Sequence, residues 1–166
     1  MPTQTVTSRT STQSGQRRRV AGQDAIRLLR ADHRKVQDLF DRFKKSRNQA
    51  KRGGLAAQIC AELKVHAQIE EEIFYPAARE ALADEDLIDE AAIEHASAKE
   101  LIAQIEQAHP GDELFDAKVT VLGEYIKHHV KEEQNEIFPR LKKTKIDLKE
   151  IGRQLAERKA ALMVGN

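Results

Sequence analysis

An internal repeat built on inward-placed histidines narrows the fold more than any other feature of this sequence. At the three-then-four spacing of a helix face, one apolar seam runs Ile26, Leu29, His33, Val36, Phe40, Phe43. Another runs Ile88, Ala91, His95, Ala98, Ile102, Ile105, the same pattern moved by 62 positions. A second pair of seams, Ile59, Leu63, His66, Glu70 and Leu122, Ile126, His129, Glu133, is related by 63 positions. Each member of that pair continues to an aromatic-proline step, Tyr75-Pro76 and Phe138-Pro139. The repeating unit is a helical hairpin that supplies one histidine from its first helix and an H-x-x-x-E pair from its second. Two copies predict an all-α, antiparallel up-down four-helix bundle.

The turn chemistry sets the expected boundaries. Helical patterns cover about 24–47, 54–82, 86–108 and 113–138, broken at Gly53-Gly54, at Asp84 and at His109-Pro110-Gly111-Asp112. Asp24, Asp84 and Asp112 are placed to accept from the free N–H groups of a helix start, while Gly and Pro close the helix before. Connections this short make neighbouring helices antiparallel. A fifth amphipathic segment, about 146–163, carries Leu148, Ile151, Leu155 and Leu162 on one side; the sequence leaves open whether it covers the bundle or joins a second subunit as a dimer. The chain thus divides into a tail at 1–22, a bundle at 23–143 and a C-terminal amphipathic helix at 144–166. The tail is rich in Ser, Thr, Gln and Arg, has no acidic residue, and has too few apolar side chains to repay the entropy of ordering, so it reads as disordered. Its Arg17-Arg18-Arg19 run suits any anionic surface, and its composition resembles a transit peptide without the amphipathic face of one.

Charge excludes more than it suggests. With 28 basic and 27 acidic residues interspersed, the chain has no large field to recruit nucleic acid or an anionic membrane. No apolar run approaches the roughly 18 to 20 residues of a membrane span, and no signal-peptide core opens the sequence, so the expectation is a soluble, cytoplasmic protein. The single Cys60, beside Ile59 in a helical pattern, fits a reduced thiol that fills core space.

The seam residues point to a metal. His66 and Glu70 stand four apart, as do His129 and Glu133, so each pair projects from one helix face about a turn apart. Four imidazoles and two carboxylates then meet on the bundle axis, and no seam carries a Lys or Arg at that level to offset the acids. Buried carboxylates without compensation are costly, and bound cations remove the cost. Imidazole and carboxylate without thiolate suit iron, manganese or zinc. If both carboxylates bridge, each of two metals receives about four protein donors, which leaves open positions of the kind that make a metal reactive. The expected ligands are His33, His66, Glu70, His95, His129 and Glu133.

In these residues the chain resembles the hemerythrin-like superfamily, over about 24–141. Asp32-His33, His66 to Pro76, Glu94-His95 and His129 to Pro139 look like its motif positions. The resemblance implies two non-haem irons with an oxo or hydroxo bridge, and binding or reaction with oxygen, peroxide or nitric oxide. Oxygen carriers of that family have a fifth histidine near the third-helix ligand and an aspartate in the fourth-helix carboxylate position. Here the neighbouring third-helix positions are Ala91, Ala98 and Lys99, and the carboxylate is Glu133. That departure favours small-molecule chemistry or sensing over oxygen carriage. The alternative functions are a non-enzymatic iron or oxygen sensor and a metal-dependent interaction module.

Other chemistry-bearing residues take secondary places. Tyr125 and Glu62 sit one turn before His129 and His66, where they would line the open end of the site, Tyr125 as a weak catalytic candidate. His128 is assigned to a neighbouring helix or solvent because the repeat aligns His129 with His66. Glu106 and His109 form the E-x-x-H of ferritin-like bundles, but unpaired and against Pro110.

Overall fold

The computed structural model describes residues 23–164, so the expected tail at 1–22 lies outside the described residues. Helix α1 spans Ala25–Lys45; α2 spans Gln49–Ile69 and continues through a π-helical turn, Glu70–Phe74, into α3, Tyr75–Leu82. Helix α4 spans Glu85–Gln107; α5 spans Phe115–Glu132 and continues through a second π turn, Glu133–Ile137, into α6, Phe138–Leu141, with α7 at Leu148–Val164. All regular structure among the described residues is helical. Helices α1 and α2 form one hairpin and α4 and α5 the other; α2 packs on α4 and α1 on α5, closing an up-down bundle.

Two of the expected starts hold at the atomic level. Asp24 accepts from the Arg27 N–H at 2.9 Å and Asp84 from that of Leu87 at 3.5 Å. Two other boundary readings are corrected. The first hairpin turns at Ser46-Arg47-Asn48, five residues before the expected Gly53-Gly54 break. Ser46 is extended and its N–H reaches the carbonyls of Arg42 and Phe43, while the Asn48 side chain accepts from the Lys51 N–H at 2.8 Å and starts α2. Both glycines then lie inside α2, and Gly53 lets the helix meet the loop between α4 and α5, since a Cβ there would stand 2.4 Å from Pro110 Cγ. Asp112 does not cap α5: its carboxylate accepts from the His109 N–H at 2.7 Å inside the loop, and α5 begins after Leu114 without a side-chain cap.

The π turns were not legible in the periodicity. The Tyr75 N–H donates to the Glu70 carbonyl and that of Phe138 to Glu133, in each case five residues back. Pro76 and Pro139 explain the wider step: without an N–H they cannot donate four residues back to Glu72 and Asn135, so an unbroken α-helix would have a missing rung. The extra residue brings Tyr75 and Phe138 round onto the faces of Glu70 and Glu133.

The core divides into two apolar bodies with the His and Glu layer between them. One includes Val36, Phe40, Phe43, Ile59, Ile102 and Leu122, and the other Ile26, Leu29, Ile69, Phe74, Phe138 and Leu155. Phe43, Phe74 and Phe138 are fully buried, each removing about 150–250 Å² from water. Leu155 carries α7 into the second body, with Leu148, Ile151 and Leu162 packed beside it, so the apolar side of α7 faces its own bundle. No helix among the described residues is long and apolar enough to cross a membrane.

Candidate metal centre

The six expected donors converge. His33, His66, His95 and His129 are buried, and Glu70 and Glu133 have no exposed surface. Two donor groups share one carboxylate: His33, His66, Glu70 and Glu133 form the first, and Glu70, His95 and His129 the second. Glu70 spans them, with Oε1 3.1 Å from His66 Nε2 and Oε2 3.3 Å from His95 Nε2. Glu133 Oε2 lies 3.2 Å from His33 Nε2 and 3.8 Å from His129 Nε2. Within each histidine pair the Nε2 atoms face each other, at 3.1 Å for His33 and His66 and 3.2 Å for His95 and His129.

The opposite ring nitrogens explain that arrangement. Asp32 stands 3.4 Å from His66 Nδ1, Glu71 3.0 Å from His95 Nδ1 and Glu94 2.7 Å from His129 Nδ1. Carboxylates accept, so they hold the ring proton on Nδ1 and leave Nε2 as a lone pair aimed inward. The Gln134 side-chain nitrogen is 3.2 Å from His33 Nδ1, and the same amide turned over accepts from it. These outer residues obey the repeat: Asp32 and Glu94 precede equivalent histidines, and Glu71 and Gln134 follow equivalent glutamates. Glu71 and Gln134 were missed, although their place after the ligand-type glutamate was a usable signal. Lone pairs therefore face lone pairs and carboxylates, and both Glu70 oxygens and Glu133 Oε2 are buried without a hydrogen bond. Cations between them satisfy every one of these atoms, so the donor set fits two metal ions.

Without a cation, protons carry the compensation. Burial would lower the His66 pKa, but Glu70 and Asp32 outweigh it and push it up to about 10. Burial likewise opposes protonation of His129, and the hydrogen bond to Glu94 overrides it and raises that pKa. Glu70 sits well below the usual carboxylate range because His66 and His95 outweigh its desolvation.

Tyr75 is the principal residue that sequence reasoning overlooked. Its hydroxyl lies 3.2 Å from the Nε2 atoms of both His95 and His129 and donates to Glu133 Oε1 at 3.1 Å. It stands where the second, three-membered donor group lacks a fourth atom. At the equivalent place in the other hairpin, Phe138 lies parallel to His33, with ring centroids 6.1 Å apart and an interplanar angle of 6°.

Several expected participants lie elsewhere. Tyr125, expected at the open end of the site, is 51% exposed in a surface groove with Ile93, Ser97 and His128. Glu62 pairs with Lys35 at 2.5 Å on the surface, and Glu106 with Lys64 at 2.5 Å. His128 points outward toward Glu94 and Glu132, as its repeat position implied. Cys60 is buried beside Ile59 and Leu63, in the filler role expected of it.

On the side of the histidines away from Tyr75 lies a small cavity walled by Val36, Leu63, Ala98, Ile102 and Ile126. The Hemerythrin HHE cation binding domain family matches residues 24–141. The chain belongs to this family. The HHE assignment accounts for the repeated His, H-x-x-x-E pattern, and cation binding is the property the family is described by. A crystal structure of an HHE cation binding domain-containing protein, the Rv2633c homolog from Mycobacterium kansasii, superposes with a TM-score of 0.73. That alignment covers 86% of this chain and 89% of the other at 22% identity, a likeness of fold. A DNA nickase of Nostoc sp. is 33% identical over 116 residues, which are 70% of this chain and 32% of that protein. The chain therefore spans about a third of the length of that relative.

Proposed function

We propose that this chain is a non-haem di-iron protein whose centre binds or reacts with oxygen, peroxide or nitric oxide. The single observation that carries the reading is the inward convergence of four Nε2 atoms on two buried carboxylates, three of whose four oxygens lack a hydrogen bond. In this reading His33, His66 and Glu133 would hold one iron and His95 and His129 the other, Glu70 would serve both, and the Tyr75 hydroxyl would stand beside the second set. Iron, once held, supplies electrons and open coordination positions. The protein's part is to orient the donors and exclude water: Asp32, Glu71 and Glu94 fix the imidazole tautomers, and the two apolar bodies seal the layer on both sides.

The cavity supports the choice of a small ligand. Its walls are aliphatic apart from the four histidines, Asp32 and Lys99, and it is small enough to admit little beyond a water-sized molecule. A cavity of this size supports a diatomic or a peroxide over a larger organic substrate. Aerobic loading with ferrous iron tests the proposal: it calls for about two irons per chain with ligand-to-metal charge-transfer absorption, as in other di-iron carboxylate bundles. Tight binding of one zinc and no iron would overturn it. Peroxide consumption by the loaded protein would favour turnover, and its absence would favour the sensor reading. The Nostoc relative adds a further arm, the conversion of supercoiled plasmid to open circles by the iron-loaded protein, which would place the chemistry on DNA.

A further inference from the structure

The two hairpins place equivalent carboxylates behind equivalent histidines, Asp32 behind His66 and Glu94 behind His129, yet the two contacts differ. Glu94 Oε2 accepts from His129 Nδ1 at 2.7 Å, while Asp32 Oδ2 stands off His66 Nδ1 at 3.4 Å. Lys159 of α7 marks the difference. Its ammonium donates to the other oxygen of Asp32, and its side chain is only 19% exposed, so the pair is poorly screened. Among the described residues no Lys or Arg touches Glu94, whose remaining neighbours are His128 and Glu132.

Helix α7 is built to hold that lysine in place. It lies beyond the family match at 24–141, and Leu155 anchors it with no exposed surface. Gly152 permits its close crossing over the start of α1, where a Cβ would stand 2.2 Å from the Gln23 carbonyl oxygen. Arg158, next to Lys159, forks onto Glu72 at 2.6 and 3.0 Å, within the π turn that begins at Glu70. Adjacent basic residues of α7 thus grip both flanks of the His66 and Glu70 pair.

We infer that Lys159 is a positioning residue that weakens the metal position held by His33 and His66, by drawing Asp32 off His66 and cancelling its charge. The inference rests on the reading that these donors hold two cations. A neutralised carboxylate polarises the imidazole less, so His66 is a poorer donor than His129. Linkage makes the effect mutual: a cation at His66 loosens the Lys159 contact by the factor that Lys159 weakens the cation. Helix α7, which lies beyond the family match, thereby reads the occupancy of one of the two positions.

Cobalt(II) titration of the full metal-free chain, followed by visible absorption, tests this without turnover. The expected result is two binding steps, one of which tightens by about tenfold in Lys159→Met while the other stays fixed. Asp32→Asn should weaken the Lys159-sensitive step by about 10- to 100-fold, and Glu94→Gln the other step by a similar factor. A lysine that merely held the helix down would give the opposite sign on removal. Arg158→Gln loosens α7 and leaves Asp32 paired, so it should not tighten either step. The inference is overturned if Lys159→Met leaves both steps unchanged, weakens one, or moves both together, or if Arg158→Gln reproduces the tightening. A folded chain that takes up no cobalt would overturn the two-cation reading and this inference with it, whereas two steps indifferent to Lys159 would overturn this inference alone.

Discussion

The Tyr75 hydroxyl donates to Glu133 at 3.1 Å, so an aromatic from the first hairpin fixes the carboxylate of the second. The bond exists because the π turn at Glu70–Phe74 adds one residue and swings Tyr75 onto the bundle axis. Hydrogen bonds to charged groups contribute about 1.5–3 kcal/mol, and Glu133 has no other hydrogen-bond donor. Tyr75→Phe should therefore lower the unfolding free energy of the metal-free protein by about that amount, measured by urea titration. In iron-loaded protein the same substitution should alter the absorption spectrum. A variant as stable as the wild type and spectrally identical to it would remove Tyr75 from the centre.

Glu70 gives a second, sharper test, because it alone contributes an oxygen to both donor groups. A ligand that binds the folded state alone stabilises it by RT ln(1 + [L]/Kd), about 4 kcal/mol at a thousandfold excess over Kd. Chelation of the metal-loaded wild type should lower its melting temperature accordingly. Glu70→Gln keeps the side-chain volume and removes the bridging charge, so its melting temperature should be insensitive to both metal and chelator. Scanning calorimetry on the two proteins with and without chelator decides the matter, and an undiminished metal response in Glu70→Gln would remove it from the site.

Much of this architecture was legible because burial and helical periodicity carry the same message. His33, His66, Glu70, His95, His129 and Glu133 each occupy a seam position among aliphatic residues, and a seam position becomes a core position once the helix packs. The parts that escaped depend on local backbone choices with no period. The π turns arise from a missing N–H at Pro76 and Pro139, which moves Tyr75 by one register and hides it from a three-then-four pattern. Tyr125 departs from expectation for the related reason that a residue one turn from a seam histidine need not face the same way. It lies on the exposed side of α5 instead. The first turn escaped because Asn48 forms a cap hydrogen bond that outweighs the helix-breaking tendency of the two glycines after it.

Those glycines make a matched pair for experiment. At Gly54 an added methyl would meet nothing within 4 Å, and the position is exposed and helical, so Gly54→Ala should stabilise the protein by roughly 0.5–1 kcal/mol. At Gly53 the same methyl would stand 2.4 Å from the rigid Pro110 ring, and Gly53→Ala should destabilise by about 1–3 kcal/mol through overpacking. Opposite signs from neighbouring residues, read from urea midpoints, would establish that α2 runs through both positions and rests on the loop between α4 and α5. Equal effects would contradict that contact.

Acidity should act oppositely on the metal-free and metal-loaded forms. In the metal-free protein His66 is raised from 6.5 to about 10 once Glu70 and Asp32 overcome the opposing effect of burial. A raised pKa contributes stability that is full below 6.5 and is lost as pH climbs toward about 10. Glu70 is depressed, because His66 and His95 overcome its desolvation, and its contribution is present above 4.5 and fades as pH falls toward its lowered value. Metal-free protein should therefore be most stable between about 4.5 and 6.5 and weaken progressively in alkali. A metal at His66 must displace the proton held there, so affinity rises with pH across the interval in which His66 would otherwise stay protonated. The gap in melting temperature between loaded and metal-free protein should consequently widen from pH 6 to pH 9, about the span below the raised His66 value. A constant gap over that range, with metal retained throughout, would show that no proton leaves His66 when the cation enters.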